Sequence, residues 1–343
     1  MVIEAERLWF EANRRLRSWE ADVTGQIVDT DIDGLLTAAL LHDHFGWPIM
    51  GFYDKATLWL DADIEPPLDL TSVVWVDAEM LWPGARVLSQ HVPAQRRSDL
   101  RAVGTLRASV NPSVIAGHAQ VGDYANKYPF GTFQWAWWVL NRDPASARLD
   151  NGRGVGTGLA WMPDGGFQSV NGRFRDNCIR WATQHMPGSL MSPLAHGDVS
   201  DVRASVREAE AWLQQHSGVR RGWVNHQWRM PIREHLDDAV DLSDANGFGQ
   251  AGLILGAIKT FYAWSRELVL PPRYRAWRGT WMKSQLKGLS DGWLEGANAH
   301  RIVSGAAPNP RDYYWTAPGS PVKSGRALSD ILPGPAYASR VAV

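Results

Sequence analysis

The chain has 343 residues, 45% of them hydrophobic and 21% charged, with a net charge of −1, a single cysteine and nineteen tryptophans. This composition excludes a disordered or collagen-like chain and a disulfide framework, and the length suits two domains at roughly 100–200 residues each. The lone Cys178 also excludes a cysteine-based zinc cluster, and near-neutral charge argues against wholesale electrostatic capture of nucleic acid, leaving room only for a local basic face.

Residues 3–20 place Leu8, Trp9, Ala12, Leu16 and Trp19 at helical spacing between charges, which predicts one amphipathic helix. Residues 1–17 are charged throughout and lack the apolar stretch of a signal peptide. No apolar run approaches the ~20 residues that span a bilayer, so a cytoplasmic protein without a membrane partner is expected. Residues 25–29 read as a short strand, 35–45 as an apolar helix stopped by Gly46 and Pro48, and 49–53 as a second strand. Residues 71–77 (TSVVWVD) form a β-branched run ending in aspartate, and 85–91 repeat the pattern more weakly. Strand, polar residue, helix is the rhythm of a parallel α/β sheet, whose ligands bind at the carboxyl ends of the strands.

Further along, residues 133–140 read as an aromatic helix and 150–158 (DNGRGVGTG) as a glycine-rich connection without the Lys-Ser/Thr of a P-loop. A linker is expected around 187–197, and a helix with a charged face over 200–216. Six lysines against 29 arginines, together with the tryptophans, suit stacking and oxyanion contacts, although a GC-rich genome gives the same bias.

The most informative segment is Asp29-Thr30-Asp31-Ile32-Asp33-Gly34 at the end of the first strand. Three carboxylates so close repel one another unless a cation neutralises them, and a carboxylate set suits Mn²⁺ or Mg²⁺ rather than zinc. An EF-hand loop would need a glutamate at its twelfth position, where Leu40 stands. A dehalogenase-type phosphatase, with Asp29 as the phosphorylated nucleophile, would want Thr or Val where Asp33 stands. As plain structure, the three could instead cap the following helix. His42 and His44 suit the negative end of that helix better than a metal.

Residues 27–41 (IVDTDIDGLLTAALL) are closely similar to the first motif of the DHH phosphoesterase superfamily, of the RecJ type. Three more segments follow in that family's order. The strand ending in Asp77 resembles the second motif, and Ser89-Gln90-His91 with Asn111-Pro112 stands at the place of the third. Residues 158–164 (GLAWMPD) resemble the fourth. The resemblance covers about half the chain, residues 23–185. It implies a parallel-sheet domain with helices on both faces (residues 23–195) behind an N-terminal helix (1–22). A smaller C-terminal domain, α/β or mostly helical, would follow over 200–343.

It further implies that Asp29, Asp31, Asp33, Asp77 and Asp164 hold one or two Mn²⁺ or Mg²⁺ ions, with Asp33 and His91 catalytic. The chemistry would be phosphodiester hydrolysis on single-stranded nucleic acid or a short or cyclic nucleotide. The family's Asp-His-His is Ser-Gln-His here, which alters one metal position. The alternative is therefore a catalytically degenerate binding or scaffold protein.

In the C-terminal half, Gly247, Gly249, Gly252 and Gly256 echo the family's glycine signature, with a buried helix over 253–264 as the competing reading. Arg229, and Arg275 with Trp277 inside a run that alternates basic and aromatic residues, are the candidate substrate contacts beside Asn111. The competing reading of that run is a helix face packed on the first domain.

Overall fold

Gly25–Asp29 forms β1, buried at every position and paired in parallel on both sides, with β2 (Ile49–Tyr53) and β4 (Val73–Val76). The computed structural model describes residues 2–53, 57–64, 72–78, 85–91, 109–118, 125–140, 154–171, 174–188, 190, 193–194, 199–217, 240–241, 246–262, 264, 266–278, 282–284, 313–315 and 322–325. With β3 (Thr57–Asp61), β5 (Arg86–Leu88), β6 (Val240–Asp241) and β7 (Arg273–Arg278) these strands make one seven-stranded sheet, ordered β5-β4-β1-β2-β3-β7-β6. The block β5-β4-β1-β2 is parallel, and β3, β7 and β6 join antiparallel. The chain is thus α/β, as its strand-helix rhythm predicts.

The helices follow from apolar spacing. In α1 (Val2–Trp19), Leu8, Ala12, Leu16 and Trp19 are buried on one stripe. That stripe packs on α3 (Pro112–Ala116) and α4 (Thr132–Leu140). Helix α2 (Ile32–Phe45) is apolar on nearly all sides, lies against β1 and α4, and stops at Gly46, whose φ of 81° closes the C-cap. Near that end His42 faces the carbonyl oxygen of Trp47 at 3.0 Å, as a helix-terminal histidine should. The glycine-rich stretch at 150–158 is in part helical. Helix α5 (Val155–Trp161) starts inside it and packs closely on α7 (Ser200–Ser217). Between them come a 3₁₀ segment (Pro163–Asn171) and α6 (Arg175–Arg180), which continues as a π-turn (Trp181–His185).

The glycines at 247, 249, 252 and 256 all fall within one helix, α8 (Asn246–Tyr262), which packs on α2 and α7, as the buried-helix reading of that run expected. One expectation is corrected. The run around Arg275 and Trp277 is a strand, not a helix face, paired antiparallel with β3 on one side and β6 on the other. Both α8 and β7 therefore build onto the N-terminal sheet and core, although the sequence places them beyond the expected boundary near residue 200. Helices pack on one face of the sheet in a large cluster that includes Val28, Phe52, Val76 and Leu88. The opposite face is buried too, through Ile27, Tyr53, Leu60, Trp75 and Val87, but no helix among the described residues belongs to that cluster. Near the C-terminus β8 (Met282–Ser284), β9 (Tyr313–Trp315) and β10 (Val322–Gly325) form a separate three-stranded antiparallel sheet, ordered β8-β10-β9.

Among the residues whose burial is described, most of the tryptophans are core. Among the described residues, nine of them (Trp19, Trp47, Trp59, Trp75, Trp135, Trp137, Trp138, Trp161 and Trp181) are buried. Cys178 is buried with them, and burial pushes its thiol up to about 12, which makes it inert rather than a nucleophile. No helix among the described residues is long and apolar enough to cross a membrane.

Candidate metal centre

The carboxyl ends of β1, β4 and β5 deliver Asp29, Asp77 and His91 to one point. All three are buried, and their ligand-type atoms lie within 4.8 Å of one another. Parallel pairing is the reason. Ile27 and Val28 of β1 sit opposite Trp75 and Val76 of β4, and Trp75 and Val76 sit opposite Val87 and Leu88 of β5. The residues that leave these strands therefore emerge side by side.

The backbone bends sharply at the site. Asp77 (φ 55°) and Asp164 (φ 51°) are, among the described residues, the two non-glycine residues in the left-handed region. Aspartate tolerates that region better than most residues, yet two instances at one cluster mark a built site. Gly34 is required for a different reason. A Cβ there would stand 2.5 Å from the Asp29 carbonyl oxygen, because the first turn of α2 sits directly over the end of β1.

The aspartates have distinct partners. Asp29 accepts from the Thr30 amide at 2.7 Å. Asp31 is the N-cap of α2 and accepts from the Gly34 amide at 3.0 Å, so the capping role foreseen for this turn belongs to it. Asp33 reaches across to the start of α4. Its two oxygens accept from the Thr132 and Phe133 amides, each at 2.7 Å. Asp77 accepts from the Thr132 hydroxyl at 2.6 Å and lies 3.6 Å from His91 Nε2. Thr132 thus holds one acid with its amide and a second with its side chain. Nothing in the sequence marks that role beyond Thr132 following Gly131 at the head of an apolar helix. Gly131 leaves room for this arrangement, since a Cβ there would meet Asp33 Oδ2 at 2.7 Å.

Gln90 occupies the other side. Its amide nitrogen donates to an Asp164 carboxylate oxygen and lies 3.2 Å from His91 Nδ1. Gln90 Oε1 is buried without a hydrogen-bond partner among the described residues.

Charge ties the cluster together. Burial first, and then the charges of Asp33, Asp31, Asp164 and Asp29, push the Asp77 carboxyl well above the usual range. Burial and the charges of Asp164 and Asp31 push Asp33 the same way, against the pull of its two amide donors. All five aspartates singled out from the sequence therefore act on one another, although only Asp29 and Asp77 stand in the group with His91. Half-buried Lys127, not foreseen, is held down to about 8 by burial while the Asp164 charge opposes the shift.

No family model, curated protein or solved structure matches this chain.

The remaining candidates fall elsewhere. Asn111 is buried and serves structure. It caps α3 through Ser113 and Val114, and its side-chain amide donates to the His91 carbonyl oxygen at 2.6 Å. Asn111-Pro112 therefore fixes the backbone of His91. Trp277 pairs with Leu58, Leu58 with Tyr53 and Tyr53 with Asp29, so Trp277 lies in the same row of the sheet as Asp29, three strands away. Arg275 pairs with Leu60 and lies in the deeper row of Gly51 and Ile27, away from the carboxyl end of β1. Arg229 lies outside the described residues.

The buried group of Asp29, Asp77 and His91 could hold a metal ion. Two carboxylates and an imidazole are a donor set for a divalent cation, and the mutual repulsion of the acids is what such a cation relieves.

Proposed function

We propose that the chain is a divalent-metal-dependent phosphodiesterase of DHH type, acting on single-stranded nucleic acid or a short or cyclic nucleotide. The observation that carries this reading is the meeting of Asp29, Asp77 and His91, drawn from three of the family-like motifs, at the carboxyl ends of three parallel strands. Asp29, Asp77 and His91 would hold the ion. Their imidazole favours Mn²⁺ over Mg²⁺, since a nitrogen donor suits a transition metal better than a hard one. When bound, the ion supplies a lowered water pKa and a counter-charge for phosphate oxygens.

The chain's own groups do the rest. Thr132 and Asn111 fix Asp77 and the His91 backbone. Lys127 lies near enough to Asp164 for their charges to interact.

A second reading, a binding or scaffold protein with a degenerate site, is favoured by one observation: Gln90 stands at a family ligand position and bonds to Asp164. Hydrolysis of single-stranded DNA, short RNA and cyclic dinucleotides, with Mn²⁺ and with Mg²⁺, separates the two. The phosphodiesterase reading expects Mn²⁺-dependent cleavage of at least one substrate, reduced about 100-fold or more in Asp29→Asn and Asp77→Asn. No turnover on any substrate by a folded, Mn²⁺-loaded chain selects the scaffold.

A further inference from the structure

Five aspartates and a histidine would offer enough ligands for two cations, yet most of those ligands are already engaged. Asp31 caps α2, and both oxygens of Asp33 accept amides at the head of α4. That leaves Asp164, on the 3₁₀ segment after α5, as the acid with which a second ion would be held beside His91. The space between Asp164 and His91 is filled by the Gln90 side chain, itself 1% exposed. Its amide touches an Asp164 oxygen on one side and stands 3.2 Å from His91 Nδ1 on the other. In either orientation of the amide, a cation could enter there only by displacing it.

We infer that the cluster takes one divalent ion per chain, bound by Asp29, Asp77 and His91, and that Gln90 is the residue that excludes a second. The inference rests on the metal-binding reading above and goes beyond it. Asp164 needs no second cation, because it has a hydrogen-bond donor in Gln90 and a nearby positive charge in Lys127. Lys127 would in turn repel a cation placed there.

The test is the stoichiometry of Mn²⁺ on the full chain after chelator treatment, by calorimetric titration with electron paramagnetic resonance on the loaded sample. The expected result is one ion per chain, with the spectrum of a magnetically isolated Mn²⁺. Gln90→His, which removes the amide and offers an imidazole beside Asp164, should admit a second ion and give an exchange-coupled pair. Asp164→Asn, which keeps a side chain suited to the left-handed backbone, should leave the stoichiometry at one and change affinity less than about threefold, against the 10–100-fold typical of altered ligand surroundings. Two coupled ions in the wild-type chain, or an ion lost in Asp164→Asn, would overturn the one-ion inference while leaving the metal reading intact. A wild-type chain that binds no Mn²⁺ overturns the metal reading, and the one-ion inference with it.

Discussion

Replacing Asp77 with asparagine should raise the melting temperature of the metal-free chain and abolish its response to Mn²⁺. Asp77 is buried among four other carboxylates, and their repulsion is a standing cost of the apo fold. Asparagine removes one charge and keeps the essentials. It can still accept from the Thr132 hydroxyl, and it tolerates a φ of 55° as well as aspartate does. Relief of charge strain at functional sites is typically worth about 0.5–2 kcal/mol, so a gain of roughly 1–4 °C follows at the ~2 °C per kcal/mol of a chain this long. Loss of a ligand should weaken Mn²⁺ binding about 100-fold or more. Thermal melts with and without Mn²⁺ check both effects, and a destabilised variant that still responds to the ion contradicts them.

The same substitution at Asp33 should have the opposite sign. Both Asp33 oxygens accept buried backbone amides, from Thr132 and Phe133. Asparagine keeps one acceptor and turns an NH₂ toward the second amide, so a buried N–H loses its partner. Charge relief acts here too, but losing charge-assisted bonds at about 1.5–3 kcal/mol each outweighs it. With about 0.5–2 kcal/mol of charge relief set against that loss, Asp33→Asn should melt roughly 2 °C below the wild type in the metal-free state, by the same conversion. It should also loosen the start of α4, visible as faster amide exchange at Thr132 and Phe133. A variant as stable as Asp77→Asn would mean that Asp33 is held by charge and not by the helix.

The contrast shows what a sequence can carry. The strand β1, the turn Asp29 to Gly34 and the helix after it are local events, and spacing and residue type predict them closely. That Asp77 and His91 join Asp29 follows from parallel strand order, and the strand-end pattern points to it. The partners of Asp33 and Asp164 were not legible, because Thr132, Gln90 and Lys127 meet them only through tertiary packing. Three closely spaced aspartates look equivalent in sequence; one caps its own helix, one holds a distant helix and one joins Asp77 and His91. The place of β7 was hidden for a similar reason. A strand that crosses from residue 273 to pair with β3 leaves no local mark of its partner. The glycines of α8 sit inside a helix, as the buried-helix reading of that run expected, because packing on α2 and α7 outweighs their weak helix propensity.

The account turns on a divalent ion at the ends of β1, β4 and β5. A crystal of the full chain grown with Mn²⁺, with anomalous difference density collected near the manganese edge, tests this most directly. The account predicts one strong peak touching Asp29, Asp77 and His91, with the Gln90 side chain still standing between His91 and Asp164. Density at that point with no anomalous signal, or a manganese peak held elsewhere by Asp31 and Asp33, would contradict it.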